Sequence, residues 1–342
     1  MNSLPTVPLT VVPTEDDRAA RATFDVHLDE GWHARALAAE VREGLAARPR
    51  RLSPRWLYDD RGSELFDQIT RLPEYYPTEA ERELLVHHAD EIAKLTGADT
   101  FVELGSGTSD KTRTLLDAFE RAGTLRRFVP FDVSEQTLRH AAHVLNDRHP
   151  DLDVHGVVGD FHLHLGEVPN DGVSVLGFLG STIGNFYPDE RARFLAEVAE
   201  WMTDDSFFLL GVDLVKPLDR IVDAYNDGAG VTAEFTTNLL AVLNRELGAD
   251  FDLGAFEHVG LWDPVHKRVD LRLRSLAAQT VSVPGADLSV EFGRDEELHV
   301  EISTKFCLSC LGRDLGDAGL DVVETWTDAA GDVAVLLARL GR

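Results

Sequence analysis

Two glycines, two aspartates and a phenylalanine stand at the ends of three consecutive predicted strands. Gly105 and Gly107 follow the first strand, where the absence of a Cβ lets a ligand approach the backbone. Asp132 ends the second strand, and Asp160 with Phe161 ends the third. Carboxylates at such strand ends can hold ribose hydroxyls and an exocyclic amino group, and a phenyl ring can stack on a purine.

The glycine turn does not match the motifs that bind pyrophosphate. It lacks the third glycine of a dinucleotide site and the Gly-Lys-Ser/Thr of a phosphate loop. A glycine turn, an acidic strand end and then an acidic-aromatic strand end is instead the order found in sheets that bind S-adenosylmethionine. The alternative is that the glycines only form turns and the aspartates only cap helices.

A second glycine-containing turn follows the fourth predicted strand. Gly180 and Gly184 lie in this turn, and Asn185 adds a side-chain amide where a methyl acceptor would lie. Structural glycines with a capping asparagine explain the same pattern. The sequence alone favours neither interpretation.

Strands and helices are predicted to alternate between residues 100 and 213. These elements must position the glycines, the aspartates, Phe161 and Asn185. The predicted strands are 100–104, 127–131, 154–158, 173–179 and 207–212, and the predicted helices are 108–119, 134–146 and 191–202. Such alternation predicts a parallel, doubly wound sheet. Ligands of such sheets bind at the carboxyl ends of the strands.

Another group of elements interrupts this pattern after residue 216. Two predicted helices lead into a meander of strands: 219–226, 231–247, then 257–261, 268–276, 279–283 and 288–292. A final helix (308–318) and two strands (320–326 and 334–340) suit antiparallel completion of the first sheet. The sequence therefore predicts an α/β fold, a Rossmann-like sheet with an inserted α+β lobe.

Composition excludes several classes of protein. The 342 residues contain 33 Lys+Arg and 60 Asp+Glu, a net charge of −27, so a nucleic acid is not an expected partner. No apolar run approaches the roughly 20 residues that span a bilayer, and the N-terminus lacks the pattern of a signal peptide. Two cysteines are too few for a secreted disulfide framework. We expect a soluble, cytoplasmic protein that does not bind membranes.

Longer motifs give a specific resemblance. The chain strongly resembles the histidine-specific N-α-methyltransferases of ergothioneine biosynthesis from about Trp32 to its end. The motifs that carry the resemblance are Tyr58–Phe66, Arg71–Thr78, Val102–Lys111, Gly180–Asn185 and Glu301–Phe306. The resemblance implies three methyl transfers from S-adenosylmethionine to the α-amine of L-histidine, which give hercynine.

The resemblance implies a role for each donor-binding residue. The amino-acid part of S-adenosylmethionine would lie at Gly105 and Lys111. Its ribose would lie at Asp132, and its adenine at Asp160 and Phe161. No metal is implied.

The resemblance also implies an acceptor pocket. Asn185 and Tyr225 would hold the carboxylate of histidine, and Tyr75, Glu301 and Ser303 would surround its imidazole. Glu301 and Ser303 are two residues apart on a predicted strand, so both side chains point to one face. A carboxylate and a hydroxyl there can bind the two ring nitrogens, one as a donor and one as an acceptor.

Three residues would lie near the reacting amine: Tyr58, Phe66 and Gly180. Tyr58 and Gly180 are the implied catalytic residues. Methyl transfer from a sulfonium is an in-line displacement, so the enzyme mainly positions a neutral amine. A desolvated pocket can lower the pKa of that amine, and aromatic faces tolerate the methylammonium product. Each tyrosine taken singly could instead be a core residue with a wet hydroxyl.

The chain divides into three predicted parts. Residues 1–29 contain prolines and charges without periodicity, which predicts a flexible leader. Residues 80–215 with 305–342 would form a class I methyltransferase domain that binds S-adenosylmethionine. Residues 30–79 with 216–304 would form the histidine-binding lobe.

Two cysteines depart from the family pattern. The family usually continues after Lys305 and Phe306 with polar residues and often a proline, whereas this chain has Cys307 and Cys310. A metal or redox role would need a second pair or nearby histidines, so we interpret the cysteines as incidental at a helix start.

The expected partners are small molecules. They are L-histidine and its monomethylated and dimethylated forms, and the protein is expected to be a monomer. Two alternatives stay open: N-methylation of another aromatic amino acid or derivative, and a donor-binding regulator without catalysis.

Overall fold

The computed structural model describes residues 9–10, 22–107 and 111–341. Its strands, in chain order, are β1 (Leu9–Thr10), β2 (Ala22–Val26), β3 (Arg50–Arg51), β4 (Thr100–Leu104), β5 (Arg127–Asp132), β6 (Asp153–Val158), β7 (Ser174–Phe178), β8 (Ser206–Asp213), β9 (Phe256–Asp263), β10 (Arg268–Ser275), β11 (Gln279–Val283), β12 (Leu288–Phe292), β13 (Glu297–Thr304), β14 (Leu320–Thr327) and β15 (Val333–Leu340). Its α-helices are α1 (Trp32–Ala46), α2 (Asp60–Ile69), α3 (Pro77–Thr96), α4 (Thr112–Arg121), α5 (Glu135–Arg148), α6 (Phe161–His164), α7 (Pro188–Trp201), α8 (Leu218–Asp223), α9 (Val231–Leu247) and α10 (Leu308–Asp317).

The main sheet has nine strands among the described residues, in the order β1-β2-β6-β5-β4-β7-β8-β15-β14. The six strands from β2 to β8 in this order are parallel, and β15 and β14 complete the sheet in antiparallel fashion. This confirms the predicted Rossmann-like α/β fold. The chain runs from β4 outward through β5 and β6, then returns to place β7 on the other side of β4. Ligands bind where the strand order reverses in this way, here beside the carboxyl ends of β4 and β7.

Strand β2 corrects the prediction of a flexible leader over residues 1–29. Residues 22–26 pair in parallel with β6, and the buried ring of Phe24 lies over Gly156. A Cβ on Gly156 would lie 2.5 Å from that ring, so the glycine makes room for it. One short strand gives no periodicity to detect in the sequence. The rest of the predicted leader, except residues 9–10 and 27–29, lies outside the described residues.

A second sheet lies in the inserted part of the chain. Strands β9, β10 and β13 pair in antiparallel fashion, and β3 adds to β13 in parallel. Strands β11 and β12 form a separate hairpin. One apolar cluster contains Phe101 of β4 and Leu271 of β10, so the two sheets share a core.

The bounds of most elements agree with the sequence predictions. Helix α9 and strands β11 and β12 begin and end at the predicted residues. No helix in the described part of the chain combines the length and the apolar character needed to cross a bilayer.

Candidate functional site

The glycine turn after β4 lies beside the end of β5, as predicted. Gly105 and Gly107 have φ values of 68° and 49°, a region that favours glycine. The Asp132 carboxylate accepts hydrogen bonds from the backbone N–H groups of Gly107 (3.1 Å) and Ser134 (3.0 Å). A Cβ added at Gly105 or Gly107 would meet no atom within 4 Å in the described part of the chain, which does not include residues 108–110. This arrangement fits a nucleoside-bearing methyl donor.

A buried carboxyl group beneath this turn was not predicted. Glu103 of β4 accepts hydrogen bonds from Ser106 Oγ (2.7 Å) and Thr112 Oγ1 (2.5 Å). Burial raises the pKa of Glu103 to about 7, although the two hydroxyls oppose this shift. An acidic residue within an otherwise apolar strand was the signal in the sequence.

Replacing Glu103 with glutamine is expected to remove a pH dependence of the stability. Because the pKa of Glu103 rises from 4.5 to about 7 in the folded protein, its contribution to stability is complete only below the unfolded value and is lost as the pH rises through 7. When the pH rises from 5.5 to 8, the free energy of unfolding of the wild type should fall by about 2 kcal/mol more than that of Glu103→Gln. Urea unfolding at the two pH values measures this difference. The same change in unfolding free energy in the wild type and in Glu103→Gln would contradict the expectation.

The second acidic strand end has an additional partner. One Asp160 oxygen accepts from the N–H of His162 (3.0 Å) and caps α6, as the structural alternative expected. The other accepts from Arg55 (2.6 Å), which also binds Glu40 (2.7 Å). The ring of Phe161 stays partly exposed and lies edge-on to Phe178. Sequence analysis missed Arg55, which links Glu40 of α1 to Asp160 at the end of β6.

One buried glutamate contacts both a predicted donor-binding residue, Lys111, and a predicted acceptor residue, Gly180. Glu81 of α3 forms an ion pair with Lys111, and it accepts a hydrogen bond from the N–H of Gly180 (2.7 Å). Only 2% of the Glu81 side chain is exposed, so this carboxylate is fixed by its two partners. The structure thereby brings Lys111 and Gly180 together. Sequence analysis missed Glu81, although an acidic residue on the apolar face of a helix is a detectable signal.

The turn after β7 packs against strand β13. A Cβ on Gly184 would lie 3.0 Å from the carbonyl oxygen of Thr304, so the glycine allows this close approach. Asn185 follows in the same turn. Asn185 and Glu301 of β13 line a cavity of about 510 Å³, whose other lining residues include Glu40 of α1 and Arg193 of α7. None of the other predicted acceptor residues lines this cavity: Tyr58, Phe66, Tyr75, Tyr225 and Ser303.

Strand β13 and helix α8 bring the other predicted acceptor residues together. Tyr225, just after α8, is buried, and its hydroxyl lies 2.8 Å from Ser303 Oγ. The rings of Tyr75 and Tyr225 meet edge to face at 6.1 Å. Burial raises the pKa of Glu301 to about 7, and the Lys305 charge opposes this rise. Burial raises the pKa of Tyr75 and of Tyr225 well above the usual value, so both hydroxyls stay neutral.

An aromatic cluster surrounds Phe66. The ring of Phe66 lies 5.4 Å from Tyr58 and 6.2 Å from Tyr75, each edge to face. Phe235 of α9 lies 5.4 Å from Tyr58, and sequence analysis missed it. Tyr58 is 41% exposed as a whole residue, but burial raises the pKa of its hydroxyl well above the usual value, so the hydroxyl end of the ring is not the exposed part.

The segment before Phe66 has a structural role. Asp59 caps α2 by accepting from the N–H of Gly62 (2.8 Å), and it also accepts from Asn238 of α9 (2.7 Å). A Cβ on Gly62 would overlap the carbonyl oxygen of Leu57. These contacts fix the position of α2, and therefore of Phe66, relative to α9.

The two cysteines lie at the start of α10, as interpreted from the sequence. Cys307 caps the helix by accepting from the N–H of Cys310 (3.2 Å). The structure also joins them in a disulfide, which the sequence interpretation did not include. Neither cysteine contacts the acceptor residues in the hydrogen bonds described for this segment.

Comparisons with known proteins agree with this geometry. A family model described as histidine-specific, SAM-dependent methyltransferase matches residues 37–340. The chain is 51% identical to a histidine N-alpha-methyltransferase of Mycolicibacterium smegmatis, over 89% of this chain and 95% of the relative. It is 49% identical to the histidine N-alpha-methyltransferase of Mycobacterium tuberculosis, over 93% of this chain and 99% of the relative.

A more distant relative is longer. Ergothioneine biosynthesis protein 1 of Neurospora crassa is 33% identical over 82% of this chain, which corresponds to 32% of the fungal protein. The family match covers most of the chain. The chain belongs to the family of histidine-specific, S-adenosylmethionine-dependent methyltransferases.

Proposed function

We propose that this enzyme transfers three methyl groups from S-adenosylmethionine to the α-amine of L-histidine, giving hercynine for ergothioneine biosynthesis. The observation that carries the proposal is the junction at Glu81, where the donor-side Lys111 meets the acceptor-side Gly180. Relatives about half identical over nearly their whole length are histidine N-alpha-methyltransferases, which supports the same acceptor here.

The proposed donor site lies along the carboxyl ends of β4, β5 and β6. Gly105 and Lys111 would hold the amino-acid part of S-adenosylmethionine. Asp132 would bind the ribose, and Asp160 with Phe161 would hold the adenine. The space that the described residues leave beside Gly105 and the exposed part of the Phe161 ring support these roles.

The proposed acceptor pocket separates three parts of histidine. Asn185 and Tyr225 would hold the carboxylate, and Glu301 with Ser303 would bind the two imidazole nitrogens beside Tyr75. The proximity of Ser303 to Tyr225 supports this placement. The residues that bind the carboxylate and those that bind the imidazole would then be adjacent, because these two groups lie close together in histidine.

The residues near the amine would act by positioning and desolvation. S-adenosylmethionine supplies an electrophilic methyl group on a sulfonium. Tyr58, Phe66 and Gly180 would orient the amine lone pair and exclude water, which favours the neutral amine. The aromatic faces would stabilise the methylammonium product through cation–π attraction. No histidine side chain is required as a base.

The division into two units is part of the proposal. Residues 80–215 with 305–342 would bind the donor, and residues 30–79 with 216–304 would bind histidine. All four strands of the second sheet fall in the histidine-binding unit. Seven of the nine strands of the main sheet fall in the donor-binding unit, and β1 and β2 precede both units. This distribution supports the division. We also propose that the enzyme is a cytoplasmic monomer that accepts monomethylated and dimethylated histidine.

Incubation of the purified protein with L-histidine and S-adenosylmethionine tests the function. We expect monomethylated, dimethylated and trimethylated histidine by mass spectrometry, and none when the donor is omitted. L-Tryptophan and L-tyrosine serve as competing acceptors. Faster methylation of either one would assign a different acceptor, and the absence of every methylated product would contradict an enzymatic role.

Replacing Gly211 with alanine is expected to weaken donor binding. Gly211 lies on β8, and a Cβ there would overlap the Glu81 carboxylate, which holds Lys111. Displacement of Glu81 should raise the Kd of S-adenosylhomocysteine roughly tenfold, the cost of one charge-assisted hydrogen bond. Calorimetry measures this Kd. In the control Gly316→Ala, the new Cβ meets nothing within 4 Å and the Kd should not change. Equal affinities in both variants would contradict the role of Glu81.

A further inference from the structure

Lys305 is fully buried directly behind the proposed acceptor residues. None of its side chain is exposed, which is unusual for lysine. Its ammonium nitrogen lies 2.7 Å from Tyr225 Oη, 2.7 Å from Ser303 Oγ and 2.8 Å from Asp213 Oδ2. An ammonium has three hydrogens and no lone pair. Its three hydrogen bonds therefore all go to groups of the protein, and none is left for a ligand.

A second lysine shares the same carboxylate without touching the acceptor residues. Lys216 forms an ion pair with Asp213 and donates to Tyr76 Oη (2.6 Å). Tyr76 in turn donates to Asp213 Oδ2 (2.8 Å). Two ammonium groups thus share one buried carboxylate, and either lysine can be neutralised while Asp213 keeps a charged partner.

The contacts of Lys305 restrict the hydroxyls of Tyr225 and Ser303. Each hydroxyl accepts from Lys305, because lysine can only donate. The two oxygens lie 2.8 Å apart, so one hydroxyl also donates to the other. The pair has two hydroxyl hydrogens, and this bond uses one of them. One hydrogen remains for a ligand in the pocket.

The relative acidity of the two hydroxyls decides which one donates its hydrogen to an anionic ligand and which one donates to the other hydroxyl. A phenol, with a pKa of about 10, is a stronger donor than an aliphatic alcohol. Tyr225 would therefore donate to a carboxylate, and Ser303 would donate to Tyr225. Ser303 then has one lone pair left, which can accept an imidazole N–H.

We propose that Lys305 is a positioning residue that fixes Tyr225 as a hydrogen-bond donor to the histidine carboxylate and Ser303 as an acceptor from an imidazole N–H. This inference rests on the proposed function. Without the ammonium, both hydroxyls are free to rotate, and the pocket no longer presents one donor and one acceptor in fixed places. The other nitrogen of a neutral imidazole is an acceptor, so Glu301 would donate to it in the protonated form, which burial makes available by raising the pKa of Glu301 to about 7.

Lys305→Met and Lys216→Met form a matched pair of variants. Each removes one ammonium and leaves Asp213 paired with the other, but only Lys305→Met removes the contacts to Tyr225 and Ser303. We expect Lys305→Met to raise the KM for histidine about 10- to 100-fold, as for loss of a charged hydrogen-bond donor. The Kd of S-adenosylhomocysteine should stay within about twofold in both variants, and Lys216→Met should change KM by less than about threefold. Equal effects of the two variants on KM would overturn the proposal.

A double-mutant cycle separates positioning from a structural role. If Lys305 acts through the Tyr225 hydroxyl, Lys305→Met should add little to the loss already caused by Tyr225→Phe. Fully additive losses would overturn the proposal. L-Histidinol, which lacks the carboxylate, gives a second readout. The preference for histidine over histidinol should fall at least about tenfold in Lys305→Met and persist in Lys216→Met.

A third set of variants applies if Lys305→Met does not fold. Tyr225→Phe, Ser303→Ala and the double variant keep Lys305. Because the two hydroxyls share one free hydrogen, their effects on the KM for histidine should be coupled, and independent effects would overturn the proposal. A wild type that makes no methylated histidine would contradict the proposed function. An active wild type with equivalent lysine variants would contradict only the role of Lys305.

Discussion

Glu301→Ala is expected to reduce kcat/KM for histidine about 100- to 1,000-fold, because an imidazole nitrogen then loses its partner inside a desolvated pocket. The carboxyl lies on β13, two residues from Ser303. After burial, its charge is one cause of the raised pKa of Tyr58 and of Tyr75. Steady-state kinetics with histidine measures the loss. Donor affinity, measured with S-adenosylhomocysteine, should stay unchanged.

Glu297→Ala is the matched control for Glu301→Ala. Glu297 begins the same strand and pairs with Arg272 and Arg274, outside the acceptor pocket. Its loss should lower stability modestly and leave kcat/KM within about threefold, as for partly exposed ion pairs. A similar loss of activity in both variants would mean that β13 is merely sensitive to change. Full activity of Glu301→Ala would remove Glu301 from the imidazole site.

Gly62→Ala is expected to have the largest effect on stability. The new Cβ would overlap the Leu57 carbonyl oxygen, and the adjacent carbonyl carbon would lie only 2.8 Å away. Backbone atoms cannot move aside as a flexible side chain can, so the first turn of α2 must shift. We expect a loss of about 3 kcal/mol or more in the free energy of unfolding, measured with urea.

Activity should fall with that shift, because Asp59 and Asn238 set the position of α2 against α9. The KM for histidine should rise more than the Kd of S-adenosylhomocysteine, since Phe66 lies on α2 and the donor residues do not. The control is Gly312→Ala, a helical glycine whose new Cβ meets nothing within 4 Å. Equal stability of the two variants would contradict this account of the motif.

Local patterns predicted most of the fold and supplied candidate donor residues. The strands of the main sheet are short apolar runs, and the candidate donor residues are those at the strand ends. The acceptor residues came from the resemblance of the motif around Tyr58 and of the segment around Glu301. Their proximity, such as that of Ser303 to Tyr225, is a property of the folded chain.

Residues that act through distant partners could not be predicted from local patterns. Glu81 binds the N–H of Gly180, which is 99 positions away, and no local pattern reveals that pairing. Lys305 has the sequence signature of a surface charge, yet its partners bury it completely. Strand β2 was missed because its burial depends on the space above Gly156.

The pairing of β3 with β13 has a consequence for how the enzyme is made. Arg50 pairs with Leu298, so the second sheet joins residues from the first and last thirds of the chain. During synthesis, the segment that carries Tyr58 must wait for β13 to emerge from the ribosome before this sheet can close. Contacts at such sequence separation slow folding. Nascent chains that end before residue 297 can therefore contain every predicted donor residue and still lack Glu301 and Ser303, the proposed imidazole side of the pocket.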